Sequence, residues 1–199
     1  MQRCCVNSGI KVASYSFPMK HLLRKYGLLP ILVVLAACWK EPNFPKEPQI
    51  EFNSIDTKYI EDGGRKALVT IAVNFKDGDG DLGLQAVAKK EDAQPPYDFQ
   101  EGRNKFYYNY FADSFIEING NFEPYRPSVI TYNGRFTHLN TDGKTKALEG
   151  ELRYSFEVIP ALLPSEFKNG DRMKFRVQIA DRALNLSNTV ETEPIKITF

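Results

Sequence analysis

The stretch ALVTIAVNFKDGDGDLGL, residues 67–84, decides how the chain is read. Its first half sets Ala67, Val69, Ile71, Val73 and Phe75 against Leu68, Thr70, Ala72 and Asn74. That period of two belongs to a β-strand whose faces meet different surroundings. Its second half places Asp77, Asp79 and Asp81 at alternate positions with glycines between them. The first half asks what the strand packs against, and the second whether the aspartates hold a metal or only turn the chain.

The same alternation recurs downstream. Leu152, Tyr154, Phe156 and Val158 alternate with polar residues, as do Phe175, Val177 and Ile179, then Ile195, Ile197 and Phe199. Turn signals separate the runs: Asp62-Gly63-Gly64, Asn119-Gly120, Asn133-Gly134, Asp142-Gly143 and Asn169-Gly170. Apart from a short turn near residues 165–167, nothing after residue 38 shows helical periodicity. These patterns predict an all-β, antiparallel sandwich. Within it, residues 115–125 are expected to form a hairpin around Asn119-Gly120.

At 199 residues the chain has room for one domain, or one domain with a short extra element. Residues 1–37 carry five Lys or Arg and no acid, which leaves 21 basic against 25 acidic residues in the remainder. A mildly acidic body without a dense basic run argues against nucleic acid as a partner. The apolar run at residues 27–38 falls short of the roughly 20 residues of a transmembrane helix. Basic residues (Lys20, Arg24, Lys25) precede it and small residues close it, the order of a secretory signal. Met19 begins a complete signal by itself, so the natural start is expected there. Cys4 and Cys5 then lie in an upstream extension, and no disulfide framework is expected. The reading divides the chain into a signal segment (1–37), a Pro-rich tether (38–48) and a sandwich domain (49–199). Prolines 42, 45 and 48 favour extended backbone at about 3.1 Å per residue, enough to hold the domain about 30 Å away from an anchor.

Leu35-Ala36-Ala37-Cys38 resembles the lipobox of bacterial lipoproteins, in which the cysteine is lipidated and becomes the first mature residue. The resemblance implies a membrane partner reached through lipid on Cys38. Trp39-Lys40-Glu41 is similar to the export signal of surface lipoproteins in Bacteroidota. That implies a bacterial outer-membrane protein facing the cell surface, with a periplasm-facing position as the alternative. The C-terminal DRMKFRVQIADRALNLSNTVETEPIKITF resembles the last strands of bacterial immunoglobulin-like domains, where D-x-A-x-N-x-S-N forms the loop between them. The fold implied is an immunoglobulin-like sandwich with an elaborated middle insertion. Residues 85–150 lie outside the resemblance and hold 12 of the 25 aromatics, so any recognition surface of aromatic type is sought there.

Calcium takes six to eight oxygen ligands, and alternate carboxylates on a tightly curved loop can supply several of them. An EF-hand wants Gly at position six and Glu at position twelve; counted from Asp77 these are Leu82 and Ala88, so the loop is no EF-hand. A topological argument remains. In an immunoglobulin-like sandwich the loop after the second strand and the loop after the penultimate strand emerge at one end. Asp77, Asp79 and Asp81 would then meet Asp181 and Asn185, with Asp142 and Glu47 as neighbours. Such acids repel unless a cation lies between them. The competing reading is a metal-free polar turn, because Asp and Gly are ordinary turn residues.

Tyr107, Tyr108 and Tyr110 in NKFYYNYFADSF (residues 104–115) are the candidate contacts for a glycan or protein ligand, since rings supply area and hydroxyls direction. The alternative is that alternate rings fill the core while the others cover a strand's outer face. Among catalytic signals, His138 is the only histidine after residue 38, and no Gly-x-Ser-x-Gly stretch exists. The sequence reading is therefore a non-catalytic, lipid-anchored envelope protein, a binding or adhesion module for glycan or protein. A structural accessory subunit of an outer-membrane assembly is the second reading, and a hydrolase using an acid pair the third.

Overall fold

The structure is a computed structural model describing residues 42–61, 64–85, 90–140 and 143–199. The signal segment, Cys38, Asp142 and the Asp62-Gly63 pair lie outside the described residues. Among the described residues no helix is long and apolar enough to cross a membrane.

The protein is all-β. Eight strands run in chain order: β1 (Gln49–Ile60), β2 (Lys66–Asp77), β3 (Tyr110–Ile118), β4 (Asn121–Tyr125), β5 (Leu148–Val158), β6 (Arg172–Ile179), β7 (Val190–Glu191) and β8 (Ile195–Lys196). They form two antiparallel sheets, one ordered β1-β2-β5 and the other β4-β3-β6-β7, with β8 also paired to β6. The predicted hairpin is present: Asn119 and Gly120 both adopt positive φ (51° and 83°) and join β3 to β4. Positive φ at both central residues is the turn whose twist matches that of paired strands.

Alternation explains the core. The odd residues of β2, from Ala67 to Phe75, point inward and are buried, as are Met173, Phe175, Val177 and Ile179 of β6. Each of these is a central strand, so its inward face is covered by the other sheet. Rings join the layers: Tyr110 of β3 stacks on Tyr154 of β5 at 4.2 Å, and Phe156 of β5 meets Phe175 of β6 at 5.1 Å. Tyr132, from the irregular chain after β4, packs against both Phe156 and Phe175. The sheets therefore share one apolar interior, a β-sandwich.

Three features depart from the sequence reading. First, β1 has no clear alternation in sequence because its register shifts between Phe52 and Ser54, and a bulge reverses which side chains point inward. Second, β6 is not the penultimate strand, since two short strands follow it. Third, packed chain begins before Gln49: Pro48 is buried, and a side chain at Gly78 would overlap the carbonyl oxygens of Phe44 and Pro45. The end of the Pro-rich segment thus lies against the aspartate loop rather than standing clear of the domain.

Candidate metal centre

The alternation that builds β2 and β6 also builds the site. Asp77 continues the inward series 67–75, and Asp181 continues 173–179 past the end of β6. Both carboxylates are buried, with exposures of 0% and 2%. From Asp77 the chain must turn at once. Gly78 lies too close to the Phe44–Pro45 backbone to carry a side chain, and Gly80 turns at φ 72°. Leu82 then forms a β-bridge with Asp181 and is fully buried, which fastens the loop to the other sheet.

Oxygen atoms of Asp77, Asp81 and Asp181 all lie within 4.8 Å of one another. Asp77 Oδ2 accepts from the Asp81 amide at 3.1 Å, and Asp81 Oδ2 accepts from the Ala183 amide at 3.1 Å. Asp181 accepts from both the amide and the side-chain Nδ2 of Asn185, at 2.7 and 2.9 Å. Among the described residues no hydrogen-bond partner reaches the buried Oδ1 of Asp77, Asp79 or Asp81. Leaving a buried acceptor unpaired costs about 1–3 kcal/mol, and more for a charged one. Arg182, adjacent to Asp181, is committed elsewhere: its guanidinium pairs with Asp92 at 2.8 Å.

The electrostatics follow from this packing. Burial, then the charges of Asp81 and Asp79, push the Asp77 carboxyl up to about 7. Burial, then Asp181 and Asp79, push Asp81 up to about 6, against the pull of the Ala183 and Arg182 amides. Burial also raises Asp181, partly offset by its bonds from Asn185. Burial and mutual repulsion thus hold all three carboxyls above the ordinary carboxylate range. Every donor atom in it is oxygen, a set that suits calcium, magnesium or manganese rather than zinc or copper.

The structure brings together Asp77, Asp81 and Asp181 as the sequence placed them. Asp79 stands beside them and adds its charge to all three. Asn185 has a different part: it donates to Asp181 and orients that carboxylate. Glu47 is exposed and outside the cluster. The rest of D-x-A-x-N-x-S-N fastens the loop to strands β6 and β1. Ser187 Oγ accepts from the Ile179 amide, and Asn188 bonds both the amide and the carbonyl of Ile50 at 2.8 Å.

In the aromatic segment Tyr110 is corrected. It is the first inward residue of β3, fully buried against Tyr154, and offers nothing to a ligand. Tyr107 and Tyr108 are half-buried and touch at 4.9 Å. Phe111 and Phe115 lie on the outer face of β3, so alternate rings do cover the two sides of one strand. Sequence reasoning missed three residues here. Phe99 is 52% exposed and packs edge-on against Tyr107; Arg135 lies over the Tyr107 ring; Asp92 is a fully buried carboxylate. None sits in a periodic run or in a turn or ligand motif, so no local signal marks them. No family model, curated protein or solved structure matches the chain.

Proposed function

We propose that this chain is a non-catalytic cell-envelope protein, anchored by lipid at Cys38 in a bacterial outer membrane, whose immunoglobulin-like sandwich binds a glycan or protein partner and is clamped by calcium at its loop end. The strand order supports the immunoglobulin-like reading. β1-β2-β5 corresponds to strands A-B-E, and β4-β3-β6 to C′-C-F, with the two short strands β7 and β8, both paired to β6, in the place of G. The lipobox and the Trp39-Lys40-Glu41 signal support the anchor and its surface-facing placement.

The observation that carries calcium is the Asp77–Asp81–Asp181 cluster, in which fully buried Asp77 keeps an oxygen without a partner among the described residues. A divalent cation there would take up the unpaired oxygens and cancel the repulsion, with backbone carbonyls or water completing its shell. Its role is to join the loop after β2 to the loop after β6, not to perform chemistry.

Thermal melts of the full chain in detergent, with EDTA and then with millimolar calcium, test the reading. Calcium at 100 times its dissociation constant adds about 2.7 kcal/mol. For a domain of this size that raises Tm by roughly 5–10 °C. The rise should vanish in the Asp79→Asn/Asp81→Asn double variant. Equal Tm values in EDTA and calcium would reduce the loop to a polar turn.

A further inference from the structure

Residues 90–109 contain no strand. They turn through short 3-10 segments (Lys90–Ala93, Gln100–Gly102, Lys105–Tyr107) and end in the shelf of Phe99, Tyr107 and Tyr108. The Asp92 side chain ties this insertion to both aspartate loops. Asp92, fully buried, accepts from the Gln85 amide and from Arg182 Nη1 at 2.9 Å, with His138 Nε2 at 3.7 Å. Gln85 directly follows the loop of residues 77–84, and Arg182 directly follows Asp181. The two hydrogen-bond donors to the Asp92 carboxylate are therefore supplied by the two loops that the carboxylate cluster joins. Arg182 is held a second way. Its carbonyl accepts from the Tyr97 hydroxyl, its guanidinium lies 5.4 Å from the Tyr97 ring centre, and the next amide donates to Asp81.

We propose that the cluster and the insertion form one device: a divalent cation at Asp77, Asp81 and Asp181 holds Gln85 and Arg182 at the spacing Asp92 requires, and so orders the aromatic shelf of residues 92–109. The inference rests on the calcium reading above. Without a cation the three carboxylates repel and the two loops part. Asp92 then loses its partners, and a buried carboxylate cannot stay buried unpaired. The insertion has few backbone ladders to hold it and is the part that opens. Binding is reciprocal: a ligand seated on the shelf tightens calcium by the same factor that calcium tightens the ligand.

Hydrogen exchange of the full chain in detergent, measured by mass spectrometry with EDTA and with calcium, separates the two claims when Tm is read in parallel. Calcium should raise Tm and slow exchange across residues 92–109 by about tenfold. In Arg182→Gln, calcium should still raise Tm but no longer protect those residues. A Tm rise with unchanged exchange at 92–109 in the wild-type chain would overturn the coupling and leave the cation centre standing. No response in either would remove both. Should Arg182→Gln fail to fold, Tyr97→Phe, which removes one hydroxyl, must reduce the calcium-dependent protection. Protection equal to that of the wild-type chain would overturn the coupling.

Discussion

Two neighbouring stretches of this chain are ordered by different means. Residues 66–77 are held by main-chain ladders to β1 and β5 and by an unbroken inward row of side chains. Residues 90–109 are held by a few short-range turn bonds and by single side chains reaching for carbonyls. Arg135 alone donates to the carbonyls of Gln85, Asp92 and Tyr107, with its guanidinium 4.5 Å from the Tyr107 ring centre. Asn104 donates to the carbonyls of Pro96 and Asp98. A ladder shares its load over many bonds, so loss of one is local; a side-chain clasp fails as a unit. The aspartate loop joins the two regimes, starting as the end of a strand and finishing beside Gln85, whose amide donates to Asp92.

The largest expected effect breaks the first regime. Phe175→Ala removes a fully buried ring that meets Phe156 and Tyr132 and should cost about 3–5 kcal/mol. Because the core is shared, denaturation should shift as a whole, with all regions opening together. Arg135→Ala is the matching test in the second regime, costing about 3 kcal/mol by leaving several carbonyls unpaired. Its signature is uneven: hydrogen exchange should rise across residues 92–109 and stay unchanged in β2. Equal exchange increases in both places would show that the insertion has no separate regime.

A smaller effect concerns pH. Asp77 and Asp81 have folded values of about 7 and about 6, above the usual carboxylate range. Between roughly pH 4 and 7 the folded chain therefore binds more protons than the unfolded one, and stability falls as pH rises. Cation-free protein should melt at a higher temperature at pH 5 than at pH 7.5, once acid effects elsewhere are matched by comparison with Asp77→Asn. Calcium needs the carboxylates ionised, so its stabilising effect should grow over the same interval. A calcium effect that is flat with pH would count against these carboxylates as ligands.

The smallest effect marks the baseline. Thr70 and Ser155 share a 2.8 Å hydroxyl bond on the exposed outer face of the first sheet. Thr70→Val should change stability by less than about 1 kcal/mol in urea titration, since water replaces the lost bond. A larger loss would mean that this face is not solvated.

Legibility in the sequence followed the same division. Where alternation runs unbroken, as in β2, β5 and β6, residues 67–75, 152–158 and 175–179 declared their strands. Loop topology placed Asp77 and Asp181 at one end of the sandwich, and the structure adds that both continue the inward alternation of their strands. β1 was hidden because its bulge splits Ile50 and Phe52 from Ile55 and Thr57. Tyr110 was misjudged because neighbouring aromatics mask parity: which of Tyr108, Tyr110 and Phe111 faces inward depends on where β3 begins. Asp92, Arg135 and Arg182 carry no local pattern at all. Their roles come from partners as far as 90 residues away, which only the folded chain brings together.

The central claim, that Asp77, Asp81 and Asp181 form a cation centre, is met most directly by isothermal titration of calcium into the EDTA-stripped full chain at pH 7.5, wild type against Asp77→Asn. The account predicts one saturable site per chain in the wild type and none in Asp77→Asn. It also predicts that Asp77→Asn melts higher than wild type without calcium, because one repelling charge is gone. Absence of binding in the wild type, or binding that survives in Asp77→Asn, would contradict it.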